Sequence, residues 1–572
     1  MVYYVAGCSC HPQLAQERVI AAESALRADL AWLALPVDYT VWRQGSCFFV
    51  GAQCHGDPRA GLITLAPDRR RVVAYTGYLI DPDTASADDP GGVFARVEVS
   101  PTHITFRNCI SRAEVAYLSR TLDGSVLLGN RARVLAQIAS GCQPRLNVPA
   151  LLGLVTGGFI VGEGTPYQGV TALPPGARAI ISPQGLAVEC EEVRDIPRGR
   201  DLKSLARDCL DVLCDHLRVI RGLEGCVSLG LTGGKDSRLI AACAAAAGLR
   251  LATHTNGQTD DPECVIARRV ARHLGLPHEV RPPSGASRGV VPQLDLLERL
   301  EWGVRLAEGM LNIYETFAPP KPALSYTLGG QSGEMIRGGF ARKGQVDADA
   351  AQMASRLKAF APLRNRALLA QQGCEVLECE FGTWWQTNVG SFVDPASLYD
   401  KYYLDYRVGR WLAHARHANQ GVTVSIVPFL DDRLLRLAFG IPRDLRASDR
   451  LICEVLRQVA PKLVHIPLLN DRWNFDRKPP KWVTPWRRLA WQRRTPLKAL
   501  AQRPISITWR TGYAGYLRLP ISEVILDEKA APLYEFIRRD VVEQWLGQEG
   551  PSPPHRVNSM MGPATAAYLL AK

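Results

Sequence analysis

The chain has no long hydrophobic run. Its longest apolar stretches, around Leu239–Leu249 and Leu151–Val161, fall well short of the ~20 residues that a bilayer-spanning helix needs. No basic segment or apolar core precedes Val5-Ala-Gly-Cys8, so this box does not read as a lipoprotein or secretory signal. Paired-cysteine motifs are also missing. The 15 cysteines are scattered without a Cys-x-x-Cys, and Cys8-x-Cys10 lacks zinc-knuckle spacing. The expectation is buried, reduced thiols in a cytoplasmic protein. No helix-turn-helix, zinc-finger or RNP signature accompanies the net charge of +12. The charge therefore suits ATP or an acidic peptide better than nucleic acid. Internal repeats and low-complexity tracts are absent.

What is present is an α/β pattern in two parts. Residues 1–198 read mostly as short strands, such as Cys47–Val50, Val72–Tyr75, Val126–Leu128 and Ala179–Ile181, separated by Gly, Pro and Asp turns. Arg194–Arg200 is polar, contains Pro and Gly, and reads as a linker. From Leu202 helical patterns alternate with buried strands, which predicts a parallel sheet within a second domain, 199–572. At 572 residues the chain is long enough for both.

The segment Ser228-Leu-Gly-Leu-Thr-Gly-Gly-Lys-Asp-Ser-Arg238 carries the most chemistry. An apolar strand runs into Thr232-Gly-Gly-Lys-Asp-Ser237, and an Ala-rich helix follows over Leu239–Ala247. A helix amino terminus after a glycine turn offers N–H groups and a favourable dipole to phosphate. The glycines let the backbone approach the anion closely. This is not a Walker A loop, because Leu229 stands where its first Gly belongs and Asp236 where its Ser/Thr belongs. The Rossmann Gly-x-Gly-x-x-Gly is absent here too.

Three further segments follow in order. Leu251–Thr255 predicts a second strand, and an acidic turn then leads into a helix with Ala267, Val270, Ala271 and Leu274 on one face, ending at Gly275. His278, just beyond, reads as a structural histidine more readily than a catalytic one. The third constellation is Thr327-Leu-Gly-Gly-Gln-Ser-Gly-Glu-Met-Ile-Arg-Gly-Gly-Phe340, and the fourth is Val427-Pro-Phe-Leu-Asp-Asp-Arg-Leu-Leu435.

The first motif resembles the PP-loop Ser-Gly-Gly-x-Asp-Ser of ATP pyrophosphatases, with Thr232 for the first Ser. All four together resemble the asparagine synthetase superfamily. Leu128-Gly-Asn130, Arg131, Arg133, Thr165-Pro-Tyr167 and Leu173-Pro-Pro-Gly176 resemble the end of that family's glutaminase-like domain. The likeness covers roughly residues 1 to 460. It implies an amino-terminal-nucleophile (Ntn)-type α/β sandwich over 1–198, followed by a PP-loop synthetase domain. It further implies that ATP is bound by Leu231, Thr232, Gly233, Gly234, Asp236, Ser237, Thr255 and Gly330. Mg²⁺ is implied on Asp236 and Glu334, the latter one methylene longer than the family's Asp. Lys235 is placed to touch phosphate or solvent.

The chain also departs from the family. A working glutaminase there has Cys at position 2, where this chain has Val2, so no ammonia release from glutamine is expected. Superfamily members without that cysteine include β-lactam synthetases and lasso-peptide cyclases, which adenylate a carboxylate and close an amide within one molecule. Cys453 stands at the position of the family's second-step lysine, which makes Arg450 the nearest candidate cation for stabilising developing charge. A helix-surface arginine would look the same. The stretch Arg472–Arg510 holds eleven Lys/Arg, five Trp and one acid. It suits either an extended peptide or basic side chains lying over apolar surface.

The expected function is ATP-dependent amide ligation, most specifically macrolactam formation between a peptide's amino terminus and an Asp or Glu side chain. The partners would be a precursor peptide, with a leader peptidase and a leader-recognition protein. An ammonia-dependent asparagine synthetase or other small-molecule amide ligase, a PP-loop nucleic-acid modifier and an inactive peptide-binding scaffold stay open at this point.

Overall fold

A computed structural model describes residues 1–81, 90–141, 143–191, 193, 201–221, 223, 227–282, 295–315, 317–338, 349–360, 363–392, 394–469, 472–476, 516–547 and 554–572. The proposed linker Arg194–Arg200 and most of the basic, Trp-rich stretch, 477–510, lie outside the described residues.

Strand alternation builds the first layers. In β1 (Val2–Cys8), Val2, Tyr4, Ala6 and Cys8 join one hydrophobic cluster, whereas Tyr3 and Val5 join another. The hairpin β2 (Asp38–Gln44) and β3 (Cys47–Gln53) turns on Gly45, whose φ of 57° is costly for other residues. The remaining amino-terminal strands are β4 (Leu62–Leu65), β5 (Val72–Leu79), β6 (Gly92–Val99), β7 (Ile104–Asn108), β8 (Tyr117–Arg120), β9 (Val126–Gly129), β10 (Val170–Ala172), β11 (Ala177–Ser182) and β12 (Gly185–Cys190). They form two antiparallel sheets, ordered β10-β8-β9-β1-β3-β2 and β12-β11-β7-β6-β5-β4. Val2, Tyr4 and Phe49 from the first pack against Val72, Val97 and Ile181 from the second. Helices Pro12–Leu30 and Ala132–Ser140 cover the other face of the first sheet through Ala15, Val19, Leu26 and Leu135.

The third sheet is parallel throughout. Its strands are β13 (Val227–Gly230), β14 (Ala252–Asn256), β15 (His278–Arg281), β16 (Ser325–Leu328) and β17 (Thr423–Ile426), in the order β15-β14-β13-β16-β17. The chain moves outward from β13 to β15, then returns to the other side of β13. Strand order therefore reverses at β13/β16, the place where open parallel sheets form a crevice at their carboxyl ends. Helix Asp236–Ala246 follows β13 and buries Leu239 and Ile240, worth roughly 1.5–3 kcal/mol each. Helix Pro262–Leu274 ends as expected at Gly275, with φ 68°.

The expected α/β class with a parallel sheet is therefore present, beside antiparallel sheets. One hydrophobic cluster runs from Met1 to Leu569 and includes side chains from both halves. Buried polar contacts tie the antiparallel sheets to the parallel one. Asp431 Oδ2 accepts from Gly92 N at 2.9 Å and pairs with His216 Nε2 at 2.8 Å. Asp432 Oδ1 accepts from Ile110 N at 2.8 Å. The Glu308 carboxylate accepts from Ala132 N and Arg133 N at 3.1 and 2.8 Å, capping a helix far away in sequence. Burial opposes ionisation of Asp431, yet His216 and Arg433 hold its carboxyl well below the usual range. Burial, with Asp431 alongside, pushes Asp432 up to about 8. The Pro-Phe-Leu-Asp segment thus works as a fastener between layers. Among the described residues no helix is long and apolar enough to cross a membrane.

Candidate functional site

Two glycine loops meet at the switch in strand order. The first leaves β13 through Leu231, Thr232, Gly233 and Gly234 and enters helix Asp236–Ala246. Its turn is braced internally. Thr232 N donates to Ser237 Oγ at 3.0 Å, the two hydroxyls lie 2.8 Å apart, and Gly234 N donates to Thr232 Oγ1 at 3.2 Å. Thr255 Oγ1 on β14 donates to Leu231 O at 2.5 Å, which fixes where the loop begins. Among the described residues no side chain caps the amino end of this helix, so its first N–H groups suit an anion.

The second loop leaves β16 through Gly329 and Gly330 and reaches helix Glu334–Arg337. It packs directly on the first. A Cβ on Gly330 would lie 2.8 Å from Ser237 N, and one on Gly333 would lie 2.3 Å from Asp236 Cγ. Between them Ser332 holds φ 65°, a left-handed conformation that is costly for a residue with a Cβ. Gly233 is roofed by Leu469, whose N–H donates to Gly233 O at 3.2 Å. Arg238 holds that roof by donating to the carbonyls of Leu463, Ile466 and Pro467 at 3.1, 2.8 and 2.8 Å.

The candidate metal ligands Asp236 and Glu334 come together on Arg337. Its Nε and Nη2 each lie 2.8 Å from an Asp236 oxygen, and Nη2 lies 3.8 Å from Glu334 Oε1. Burial raises Asp236 above the usual carboxylate range, partly offset by Arg337 and reinforced by Glu334. Among the described residues no group of three or more His, Cys, Asp or Glu is arranged around a metal site. Two carboxylates are nonetheless the donor set Mg²⁺ commonly takes beside phosphate oxygens and water. A further carboxylate oxygen, Asp449 Oδ1, is buried nearby without a hydrogen-bond partner among the described residues. These residues fit the ion.

Lys235 is buried. Its Nζ lies 2.7 Å from Asp449 Oδ2 and 5.8 Å from the centre of the Trp473 ring. Asn474 N donates to the same oxygen at 2.8 Å. Arg450 is exposed at the start of helix Arg450–Val459, one residue after Asp449. Cys453, in the same helix, is buried. His278 Nδ1 lies 2.9 Å from Thr253 Oγ1, as suits a structural histidine. The predicted residues therefore lie on two contacting loops and the strand beside them, while Arg450 starts the helix that follows Asp449.

Sequence reasoning missed Arg337, Asp449 and Tyr403. Burial pushes Tyr403 up to about 12, with Glu334 adding to the effect, and its hydroxyl shares a hydrogen bond with Ser332. Arg337 follows Glu334 by three residues, a helical spacing that could have flagged the pair.

No protein-family model matches this chain, and no curated protein matches it. Similar solved structures include one described as the allosteric regulatory enzyme of purine biosynthesis. It is 10% identical, with 49% of this chain and 81% of that chain covered, at a TM-score of 0.20. Another is the glutamine phosphoribosylpyrophosphate amidotransferase from B. subtilis complexed with ADP and GMP. It is 11% identical, with 59% of this chain and 76% of that chain covered, also at a TM-score of 0.20. At that TM-score the likeness says nothing about the chemistry of this chain.

Proposed function

We propose that this chain is an AMP-forming carbon–nitrogen ligase. It activates a carboxylate with ATP and joins it to an amine. The most specific reading, following the resemblance to lasso-peptide cyclases, is ring closure between a peptide's amino terminus and an Asp or Glu side chain. The observation that carries the proposal is the convergence of two glycine loops, with Asp236 and Glu334, on an uncapped helix amino terminus where strand order reverses.

In this reading Gly233, Gly234 and Ser237 cradle the ATP phosphates, and Thr255, Leu231 and Gly330 shape the crevice. Magnesium, held by Asp236 and Glu334, would supply charge neutralisation at the phosphate oxygens. The substrate carboxylate forms a bond to the α-phosphorus, and the bond to the leaving pyrophosphate breaks. The amine then bonds to the acyl carbon, AMP departs and the amine gives up a proton. Arg450 is the candidate cation for the second step, and Lys235 acts by fixing Asp449 beside the loop. The Leu469 roof helps exclude water, which would otherwise hydrolyse the activated acid.

The test is AMP release from ATP–Mg²⁺ in two parallel reactions. One contains aspartate and ammonium. The other contains a synthetic peptide with a free amino terminus and one internal Asp or Glu. Peptide-dependent AMP with loss of one water from the peptide supports ring closure. AMP only with aspartate reassigns the site to amino-acid amidation, and AMP in neither overturns the ligase reading.

A further inference from the structure

A cavity of about 280 Å³ lies beyond Gln331, in the seam between the antiparallel sheets and the parallel sheet. Tyr78 and Glu114 line it from the antiparallel side, and Thr327 and Gln331 from β16 and its loop. Glu315, Trp411 and Arg416 line it as well. The volume suits one amino-acid-sized group, near the lower end for ligand pockets.

One helical stretch connects this cavity to the glycine loops. Tyr403–Leu412 is wound as a π-helix, a form found mostly as short insertions and often at functional sites. Tyr403, Arg407 and Trp411 recur every four residues along it. Tyr403 bonds with Ser332, and Arg407 feels Tyr403, Glu315 and Glu334 together. The Arg407 guanidinium lies 3.4 Å from the centre of the Trp411 ring. Trp411 Nε1 in turn donates to Glu315 Oε1 at 2.8 Å. A single wall therefore runs from the candidate metal carboxylate to Glu315.

The charges of the cavity are not equally committed. Arg416 is paired with Glu114 at 2.8 Å, and Arg59 with Asp57 at 2.7 Å. Among the described residues Glu315 is the one charged side chain of this lining without an ion-pair partner. The indole N–H holds it in place, and Arg407, stacked over the Trp411 ring, is a cation that acts on it without a direct ion pair. A carboxylate held by one hydrogen bond keeps lone pairs free to accept from an amine N–H, and it can take the proton that an ammonium must lose before it attacks.

We propose that this cavity seats the amino group of the amine substrate on Glu315, with Trp411 as the positioning residue. The antiparallel sheets supply one wall of the pocket through Tyr78 and Glu114. This rests on the ligase reading above and names the place of the attacking amine. It also gives the amino-terminal half a part in the reaction that needs no nucleophile of its own.

The test separates acid activation from amine capture. Full-length protein is incubated with ATP–Mg²⁺, the synthetic peptide and hydroxylamine, which traps the activated acid as a hydroxamate without needing the cavity. The ratio of cyclised to hydroxamate product is measured for wild type, E315Q, E315D and A415L, Ala415 being a further residue of the lining. The expected result is a ratio lowered about tenfold or more in E315Q, the size of a lost charged hydrogen bond. E315D should recover part of it, and A415L, which fills the cavity, should lower it as well. An unchanged ratio in both E315Q and A415L overturns the proposal. So does an equal loss of both products in a folded E315Q, which would place Glu315 in acid activation. Absence of hydroxamate from wild type overturns the ligase reading itself.

Discussion

Two groups of buried ionisable side chains in this molecule are satisfied in different ways. At the junction of the antiparallel and parallel sheets, every carboxyl group reaches a backbone amide: Asp431 that of Gly92, with His216 and Arg433 also on it, Asp432 that of Ile110, and Glu308 those of Ala132 and Arg133. At the glycine loops, Asp236 ends on the Arg337 side chain, and Lys235 on Asp449. A backbone amide cannot leave without local unfolding, so the first arrangement locks the layers together. A guanidinium can rotate away, so the second arrangement can exchange its partner for a ligand. The same residue types therefore lock layers together in one region and, in the proposed reading, meet a ligand in the other.

The largest expected effect tests the exchangeable region. G333A places a Cβ 2.3 Å from Asp236 Cγ and must push the two loops apart. AMP formation should fall by about 100-fold or more, the cost of misplacing reacting groups by roughly 1 Å. The melting transition should move little, and a large loss of stability would blur the distinction between the regions.

The locked region should answer in the opposite way. D431A removes the partner of His216 and of the Gly92 amide, and should cost about 3–5 kcal/mol in denaturant unfolding. A wild-type unfolding midpoint would show that the junction is not held as described.

The pH dependence of stability sharpens the comparison further. Asp432 stays protonated in the folded chain up to about pH 8, whereas an unfolded Asp ionises near pH ~3.9. Folding takes up about one proton between these values. Stability from this group is complete below the unfolded pKa and lost as pH rises through about 8. Asp431 has the opposite sign, because its contribution is present above the unfolded pKa and lost as pH falls. D432N retains an acceptor for Ile110 N and should flatten the decline between about pH 5 and 8. An unaltered slope in melting temperature against pH would contradict this.

The smallest effect is expected outside both regions. Cys10 is exposed, and C10S should change stability by less than about 0.5 kcal/mol and leave AMP yield unaltered. A clear loss of activity would draw attention back to the amino-terminal cysteines.

Local patterns made the first loop legible. A buried strand, a glycine turn and an Ala-rich helix are written within twenty residues, and the structure has them at Val227–Gly230 and Asp236–Ala246. The Lys235–Asp449 pair was hidden because 214 residues separate its members. The strands β15 and β17 have four residues each with half-exposed faces, too little apolar alternation to read. The π-helical stretch was missed because its winding departs from the 3.6-residue period on which helix reading rests. Glu315 carries no motif at all, and only the folded chain sets it beside Trp411.

The central claim is that the Asp236 loop binds ATP with magnesium by exchanging its Arg337 partner. Calorimetric titration of ATP–Mg²⁺ into wild type and D236N tests it most directly, with melting curves of both without ligand as the control for folding. Wild type should bind saturably, D236N should lose binding, and the two should melt alike. Equal binding by a folded D236N, or none by wild type, would contradict it.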